Sequence, residues 1–578
     1  MRLLTGAEIF VESLYCEGVD IIFGYPGGKV IPIYDVLYDS KLKHIMPHHE
    51  QGGIHAADGY ARSTGKVGVC LTTSGPGATN LVTGLATAYM DSVPIVAFTG
   101  QVAQSMLGTD AFQEADITGI TTPITKHNYL VQDIKDLPRI IKEAFHIART
   151  GRPGPVLIDI PKDILLAKAE FTYPKEINLP GYKPNYEGHE LQIKEAAKVI
   201  NEAENPVIYS GGGVIISEAS NELQELAKKG DIPVTTTLTG LGAFNERDKL
   251  SLGMLGMHGT TEANLAVSNA DLLVAIGARF DDRVTGKLDT FAKDAKIIHI
   301  DIDPAEVGKR KLVDIPIVGD VKRILTILNK MVEEKDRDEW LALIDTWRKL
   351  DEVSHVKKDK QKLSPKEIIE AIDELTKGEA LITTEVGQHQ MWAAQFYKYT
   401  KPRSFMTSGG LGTMGYGFPA AVGVQVANKD SIVFALAGDG SFQMNVQELA
   451  TVAKNKLPLN IAIFNNGYLG MVRQWQEMFY DRRYSSVCLK MQESCPPGCS
   501  LPGEHCPVTT PDFVKLAEAY GIKAKRITKA EEIKPALEEA INSPQPYLLD
   551  FIIEEEENVF PMVPPGGSLD NMVLKEEV

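Results

Sequence analysis

A chain of 578 residues with 43% apolar, 24% charged and 7% aromatic residues has the makeup of a folded enzyme, and its length calls for three or four domains. A formal net charge of −17 repels phosphate backbones and argues against a nucleic-acid partner. No apolar run approaches the roughly 18 residues of a membrane span.

The opening stretch MRLLTGAEIFVESLYCEGVD predicts an amphipathic helix starting almost at Met1. That start leaves no room for a signal or transit peptide, so the expected location is cytoplasmic. Downstream, apolar β-branched runs bounded by Gly or Pro alternate with longer amphipathic stretches, the pattern of parallel α/β domains. Strands are predicted at VGVCLTT, VPIVAFTG and GPVLIDIP, then at NPVIYSGG, IPVTTTL, DLLVAIG and KIIHIDID. A third set is ALITTEVG, SIVFALAGDG, PLNIAIFNN and YLLDFII. Polar stretches near 170–190 and 333–364 separate these sets. The expected fold is α/β, with three doubly wound parallel-sheet domains at 1–170, 188–335 and 364–552 and a tail or lid at 553–578. In such sheets ligands bind beyond the carboxyl ends of the strands.

One βαβ unit carries the sharpest chemistry. SIVFALA runs into Gly438-Asp439-Gly440, a helix is expected over 443–456, and PLNIAIF ends at Asn465-Asn466. Asp439 and Asn466 then leave neighbouring strand ends on one edge, a hard-oxygen pair suited to Mg²⁺. Gly438 and Gly440 allow close backbone approach to a diphosphate, and the following helix N-terminus offers free N–H groups. Alone, Gly-Asp-Gly is also a common turn; Asn-Asn after 24 intervening residues makes the pattern specific. HHEQGGIHAADGYARSTGK places Glu50 just before a helix start, where an isolated glutamate reads as a cap. CLKMQESCPPGCSLPGEHC holds Cys488, Cys495, Cys499 and Cys506, an apparent insertion at about 486–508. Their spacing fits no standard zinc pattern, so thiols, a bound metal or cluster, and disulfides all stay open.

Gly-Asp-Gly with Asn-Asn resembles the thiamine-diphosphate (ThDP) motif. The marks FGYPGG, HEQGGIHAADGYAR, TSGPGATN, GTDAFQEADI, GARFDDRVTGK, VGQHQMWAAQ, GMVRQWQEMFY and NVFPMVPPGGSLDNM make nearly the whole chain similar to the acetolactate synthase (acetohydroxyacid synthase) large-subunit family. That resemblance implies a pyrimidine-binding, a central FAD-binding and a diphosphate-binding domain. It implies decarboxylation of pyruvate and transfer of the hydroxyethyl unit to a second pyruvate or to 2-oxobutyrate, the first common step to valine, leucine and isoleucine.

By the same resemblance Asp439, Asn466 and the Tyr468 carbonyl hold Mg²⁺, and Glu50 activates the cofactor through its aminopyrimidine. Tyr25, Pro26, Thr73, Pro76, Asn80 and Met414 fall at ThDP positions, as do Val386, Gly387, Gln388, His389, Gly438, Gly440, Ser441, Leu469, Gly470 and Met471. Gly28, Phe112, Gln113 and Lys162 match the reaction pocket and its mouth. Arg283 matches the residue meeting the acceptor carboxylate, its planar fork suiting that group, with an ion pair to Asp281 or Asp282 as the plain alternative. Trp475 matches the aromatic residue favouring the larger acceptor. FAD would be held by Arg152, Gly211, Gly212, Gly213, Thr237, Leu238, Leu255, Gly256, Met257, His258, Gly277, Ala278, Arg279, Asp281, Asp301, Ile302, Asp320 and Val321. Lys29 departs from the family, which commonly has a small residue there. The family's site forms between two subunits, so a homodimer or larger assembly is expected, with a probable partner in a separate small regulatory subunit. The rival readings are a FAD-dependent pyruvate oxidase, a simple 2-oxo acid decarboxylase and, in another class, a zinc- or cluster-binding regulatory protein built on the cysteines.

Overall fold

The computed structural model describes residues 2–354, 362–490 and 511–574. Three six-stranded sheets, parallel throughout, organise the chain. The first runs in space Lys43–Ile45, Ile21–Gly24, Gly68–Thr72, Ile95–Gln101, Val156–Pro161, His127–Leu130. The second runs Ser251–Met254, Val234–Thr236, Pro206–Ser210, Leu272–Ile276, Lys296–Asp301, Ile315–Val318. The third runs Phe405–Met406, Leu381–Thr384, Val433–Gly438, Asn460–Asn465, Tyr547–Ile552, Lys523–Ile527. Interior strands are covered by helices on both faces and are buried almost without interruption, as in Val156–Pro161 and Asn460–Asn465.

The first and third units meet through two helices. Glu50–Thr64 is capped by the His49 side chain, which accepts from the Gln51 N–H at 3.0 Å, and ends at Gly65 with φ 74°. It crosses Gly417–Ala427 so closely that a Cβ at Gly59 would strike the Ala420 carbonyl, and one at Gly423 the Ala56 carbonyl. Glycine at these two positions lets backbone touch backbone, and one continuous apolar core, including Ile54, Ala57, Phe418 and Val422, seals the contact. The middle sheet is flanked by its own two apolar clusters. The tail returns to this middle unit, where the Val563 N–H donates to the Met257 carbonyl at 2.8 Å.

Two elements differ from expectation. The N-terminal helix starts at Gly6, because Leu3–Thr5 pairs antiparallel with Lys168–Glu170 and Thr5 then caps the helix with Glu8. The helix expected over 443–456 is a 3-10 turn at Gln443–Asn445 followed by a helix at Glu448–Asn455, and a short helix at Asp439–Phe442 precedes both. Among the described residues no helix is long and apolar enough to cross a membrane.

Candidate active site

At the third sheet, Gly438 pairs in register with Phe464, so Asp439 and Asn466 leave adjacent strand ends together. Asp439 is 1% exposed and accepts from the Gly467 N–H at 3.0 Å. Burial pushes its carboxyl up to about 7, and among the described residues no Lys or Arg pairs with it. A buried acid so placed lacks a counter-charge, which a divalent cation would provide. Asn466 Oδ1 accepts from the Tyr468 N–H at 3.0 Å, and Asn466 Nδ2 donates to Gln388 Oε1 at 3.4 Å. Ser441 Oγ closes the turn on Gly438, accepting from its N–H at 3.2 Å.

Around this corner the backbone makes a cradle. Gly387, at φ 152°, opens the helix Gln388–Phe396, and Gly438 lies against the His389 ring, which a Cβ would approach to 3.1 Å. A Cβ at Gly440 would meet Leu469 at 2.7 Å, and one at Gly470 would strike Gln388. His389 is buried with Nε2 unpartnered, and burial pushes it down to about 3, so the ring is neutral. Helix N-terminal amides, side-chain-free turns and an orphaned ring nitrogen together fit a diphosphate. Val487 and Leu489 hydrogen-bond back to Leu469 and Gly467, and Cys488 pairs with Tyr468. The chain segment leading into the cysteine-rich stretch thus braces this corner from behind. Cys495, Cys499 and Cys506 lie outside the described residues.

At the first sheet the expected residues gather at the carboxyl strand ends. Glu50 Oε2 accepts from Asn80 Nδ2 at 2.9 Å. A Cβ at Gly77 would come within 3.4 Å of Glu50 Oε1, and one at Gly27 would press on Thr73. Thr73 Oγ1 accepts from the Lys29 N–H at 3.3 Å, next to Gly28 and the exposed Pro26 and half-exposed Tyr25. Pro76 starts a short helix, and Gly75 turns against Gln113, itself at φ 62°. Lys162 follows the strand Val156–Pro161. Phe112 is 82% exposed, so this half of the site is open in the single chain.

Between the units lies a cavity of about 990 Å³. Its middle-unit wall includes Gly211, Gly212, Gly213, Thr237, Leu238 and Leu255, together with Gly277, Ala278 and Arg279. Met257, His258, Asp281, Asp301, Ile302, Asp320 and Val321 also face it, as does Arg152 from the first unit. Gly256 sits just behind, at φ 112°, bonded to Asn264. A Cβ at Gly213 would meet Gly277 at 2.6 Å, so the two strand-end turns touch through bare backbone. Tyr209 and His258 line this cavity, their Oη and Nδ1 atoms buried and unpartnered, and burial pushes His258 down to about 4. These glycine turns and orphaned polar atoms, with Asp301 at a strand end, fit a dinucleotide. Arg152 joins Asp303 at 3.3 Å and Glu306 at 2.8 Å.

The same cavity reaches Val386, Gly387, Met414, Met471 and Trp475. Met471 and Trp475 lie one turn apart on the helix Gly470–Phe479. Arg283 lies over the Trp475 ring at 5.5 Å, and Asp281 is bound instead to Arg279 at 2.5 Å. No carboxylate pairs with Arg283 among the described residues, which removes the plain alternative for it. The cavity gathers both the glycine turns of the middle unit and Arg283, but Glu50, Phe112, Gln113 and Lys162 do not line it.

The thiamine pyrophosphate enzyme N-terminal TPP binding domain matches residues 4–120, the central domain residues 193–328, and the C-terminal TPP binding domain residues 385–551. The acetolactate synthase large subunit IlvB1 of Mycobacterium tuberculosis is 51% identical over 581 residues, 99% of this chain and 92% of its own. That of Corynebacterium glutamicum is 51% identical over 573 residues, covering 98% of this chain and 89% of the relative. The chain belongs to the acetolactate synthase large-subunit family. The red alga Porphyra purpurea has a family member 50% identical over 581 residues, 98% of this chain and 95% of its own. In the present chain each of the three TPP-enzyme domains carries one of the parallel sheets.

Three buried carboxylates beside the site escaped the sequence reading: Glu385, Glu448 and Asp91. Glu448 accepts from the His48 N–H at 3.1 Å and so braces the approach to Glu50 from the third unit. Glu385 and Asp91 hold the loop that carries Met414. A charged residue directly after an apolar strand, as in ALITTEVG, is the signal that marks Glu385.

Proposed function

We propose that the chain is an acetolactate synthase large catalytic subunit, joining two pyruvates with loss of CO₂, or pyruvate with 2-oxobutyrate. The observation that carries this is the junction of a ThDP-type corner at Asp439 and Asn466 with a cavity whose one unpaired cation, among the named site residues, is Arg283 on Trp475. Bound ThDP supplies a carbon nucleophile and an electron sink for decarboxylation. Asp439, Asn466 and the Tyr468 carbonyl would hold Mg²⁺, and the turns at Gly387, Gly438 and Gly470 would admit a diphosphate. Glu50, steadied by Asn80, holds a proton at the aminopyrimidine edge. Arg283 receives the carboxylate of the acceptor, which sets an acid, not water or a proton, as the second substrate. Met257, Met471 and Trp475 exclude water around the new bond. The glycine-lined arm of the cavity would hold FAD.

Glu50 lies outside the cavity that carries Arg283, and Phe112 is open to solvent. These observations support a homodimer in which the first unit of one chain completes the third unit of another. The large-subunit names of the relatives support a separate small regulatory partner. The test is anaerobic incubation of the purified protein with pyruvate, ThDP, Mg²⁺ and FAD. Acetolactate with no electron acceptor present supports the reading; acetate with reduced flavin would instead establish the oxidase.

A further inference from the structure

The strand Leu381–Thr384 runs into a glutamate that the chemistry above leaves unused. Glu385 is 0% exposed, and each of its oxygens takes a backbone N–H: Oε2 accepts from Gly415 at 2.6 Å and Oε1 from Phe418 at 2.9 Å. Gly415 directly follows Met414 and sits at φ 88°, a conformation that glycine holds without strain. Its carbonyl is held too, by Asn445 Nδ2 at 2.5 Å. At the other end of the loop Asp91 accepts from the Gly409 and Gly410 N–H groups at 2.9 and 2.7 Å, and is itself held by Arg62 at 2.9 Å. Leu411 and Gly412 between them are exposed, and Met414 is half-buried in the cavity wall. Met414 has a flexible thioether and no polar group to anchor it, so its place is set by the backbone on either side.

We propose that Glu385 is a positioning residue: by fixing the Gly415–Phe418 backbone it sets the height of Met414 beneath the cofactor and hence how closely the cofactor's amino group meets the thiazolium C2 proton. This rests on the ThDP reading above. A carboxylate offers only acceptors, which the converging N–H groups require; glutamine in its place turns one acceptor into a donor and leaves a buried N–H opposed. Asp439 and Asn466, at the metal end of the diphosphate corner, leave other strands and make neither of these two bonds, whereas Gly387 and His389 of the cradle follow Glu385 on its own strand.

The clamp therefore separates cofactor binding from cofactor activation. In Glu385→Gln, ThDP affinity should stay within about threefold of wild type while C2 hydrogen–deuterium exchange slows about 10- to 100-fold, the scale of a misplacement of roughly 1 Å. Glu385→Asp, shorter but still a pure acceptor, should recover part of the exchange rate. Exchange at the wild-type rate in both variants overturns the proposal, and so does an equal loss of affinity and exchange, which a general loosening of the fold would give. If Glu385→Gln does not fold, Glu385→Asp alone is read for the same split. A second measurement needs no cofactor: in the apoprotein, amide hydrogen exchange at Gly415 and Phe418 should rise at least about tenfold in the variants, with the Asp439 corner unchanged. Unaltered protection there overturns the clamp. A wild-type protein that binds no ThDP overturns the functional reading instead, and the amide measurement still decides whether Glu385 holds the loop.

Discussion

The two halves of the site are prepared to different degrees. The corner at Asp439, Asn466 and His389 is buried, and its turns are closed by Ser441 and Gly467. The half at Glu50 is only partly buried, and it ends in the exposed Phe112 and the turn at Gln113. A buried corner is built within one chain, where desolvating Asp439 costs folding energy that a bound cation would offset. The half at Glu50 is left open in the single chain. Binding and activation should therefore fail separately when each half is broken.

The largest effect is expected on the open half. Glu50→Gln removes proton transfer and should slow C2-proton exchange by about 100- to 10 000-fold with the fold and ThDP affinity kept. Measured exchange near the wild-type rate would break the division between the halves. Asp439→Asn strikes the anchor: cofactor affinity, followed by quenching of protein fluorescence, should fall by more than the roughly 100-fold that an outer-sphere partner is worth. Arg283→Ala leaves both halves standing and should lower acetolactate formation by about 10- to 100-fold, the value of a charged hydrogen bond, while CO₂ release continues. Equal loss of both products would place Arg283 outside acceptor recognition.

The smallest effect joins the halves. Burial pushes Glu448 up to about 7 from an ordinary 4.5. Its folded form keeps a proton that the unfolded chain has already lost, so its contribution is full below about 4.5 and declines as pH rises through about 7. Glu448→Gln should flatten that decline by on the order of 1 kcal/mol, read from unfolding at about pH 5 and about pH 8. An unchanged slope would mean that Glu448 does not titrate in its contact with the His48 amide.

How much of this was legible in the sequence follows from burial. Interior strands such as Val433–Gly438 and Leu272–Ile276 are apolar on both faces and stand out as continuous runs. Edge strands such as His127–Leu130 and Lys523–Ile527 are short and mixed in polarity, so neither run length nor alternation marks them. Asp439 and Asn466 were legible because one βαβ unit fixes both. The glutamates at 385 and 448 were not, since their partners lie 30 and 400 residues away; the charge directly after the strand flags Glu385 but not what it binds. The helix expected over 443–456 failed for a related reason: Asn445 turns inward to hold Gly415, and the chain breaks there to let it.

The division of the site between two chains can be tested by mixing Glu50→Gln protein with Asp439→Ala protein, each inactive alone, after dissociation and reassembly. If Glu50 of one subunit serves the Asp439 corner of the other, half of the dimers are mixed and each regains one intact site, so about a quarter of wild-type acetolactate synthesis should return. Absence of any recovery, with mixed dimers demonstrably formed, would contradict a site shared between chains.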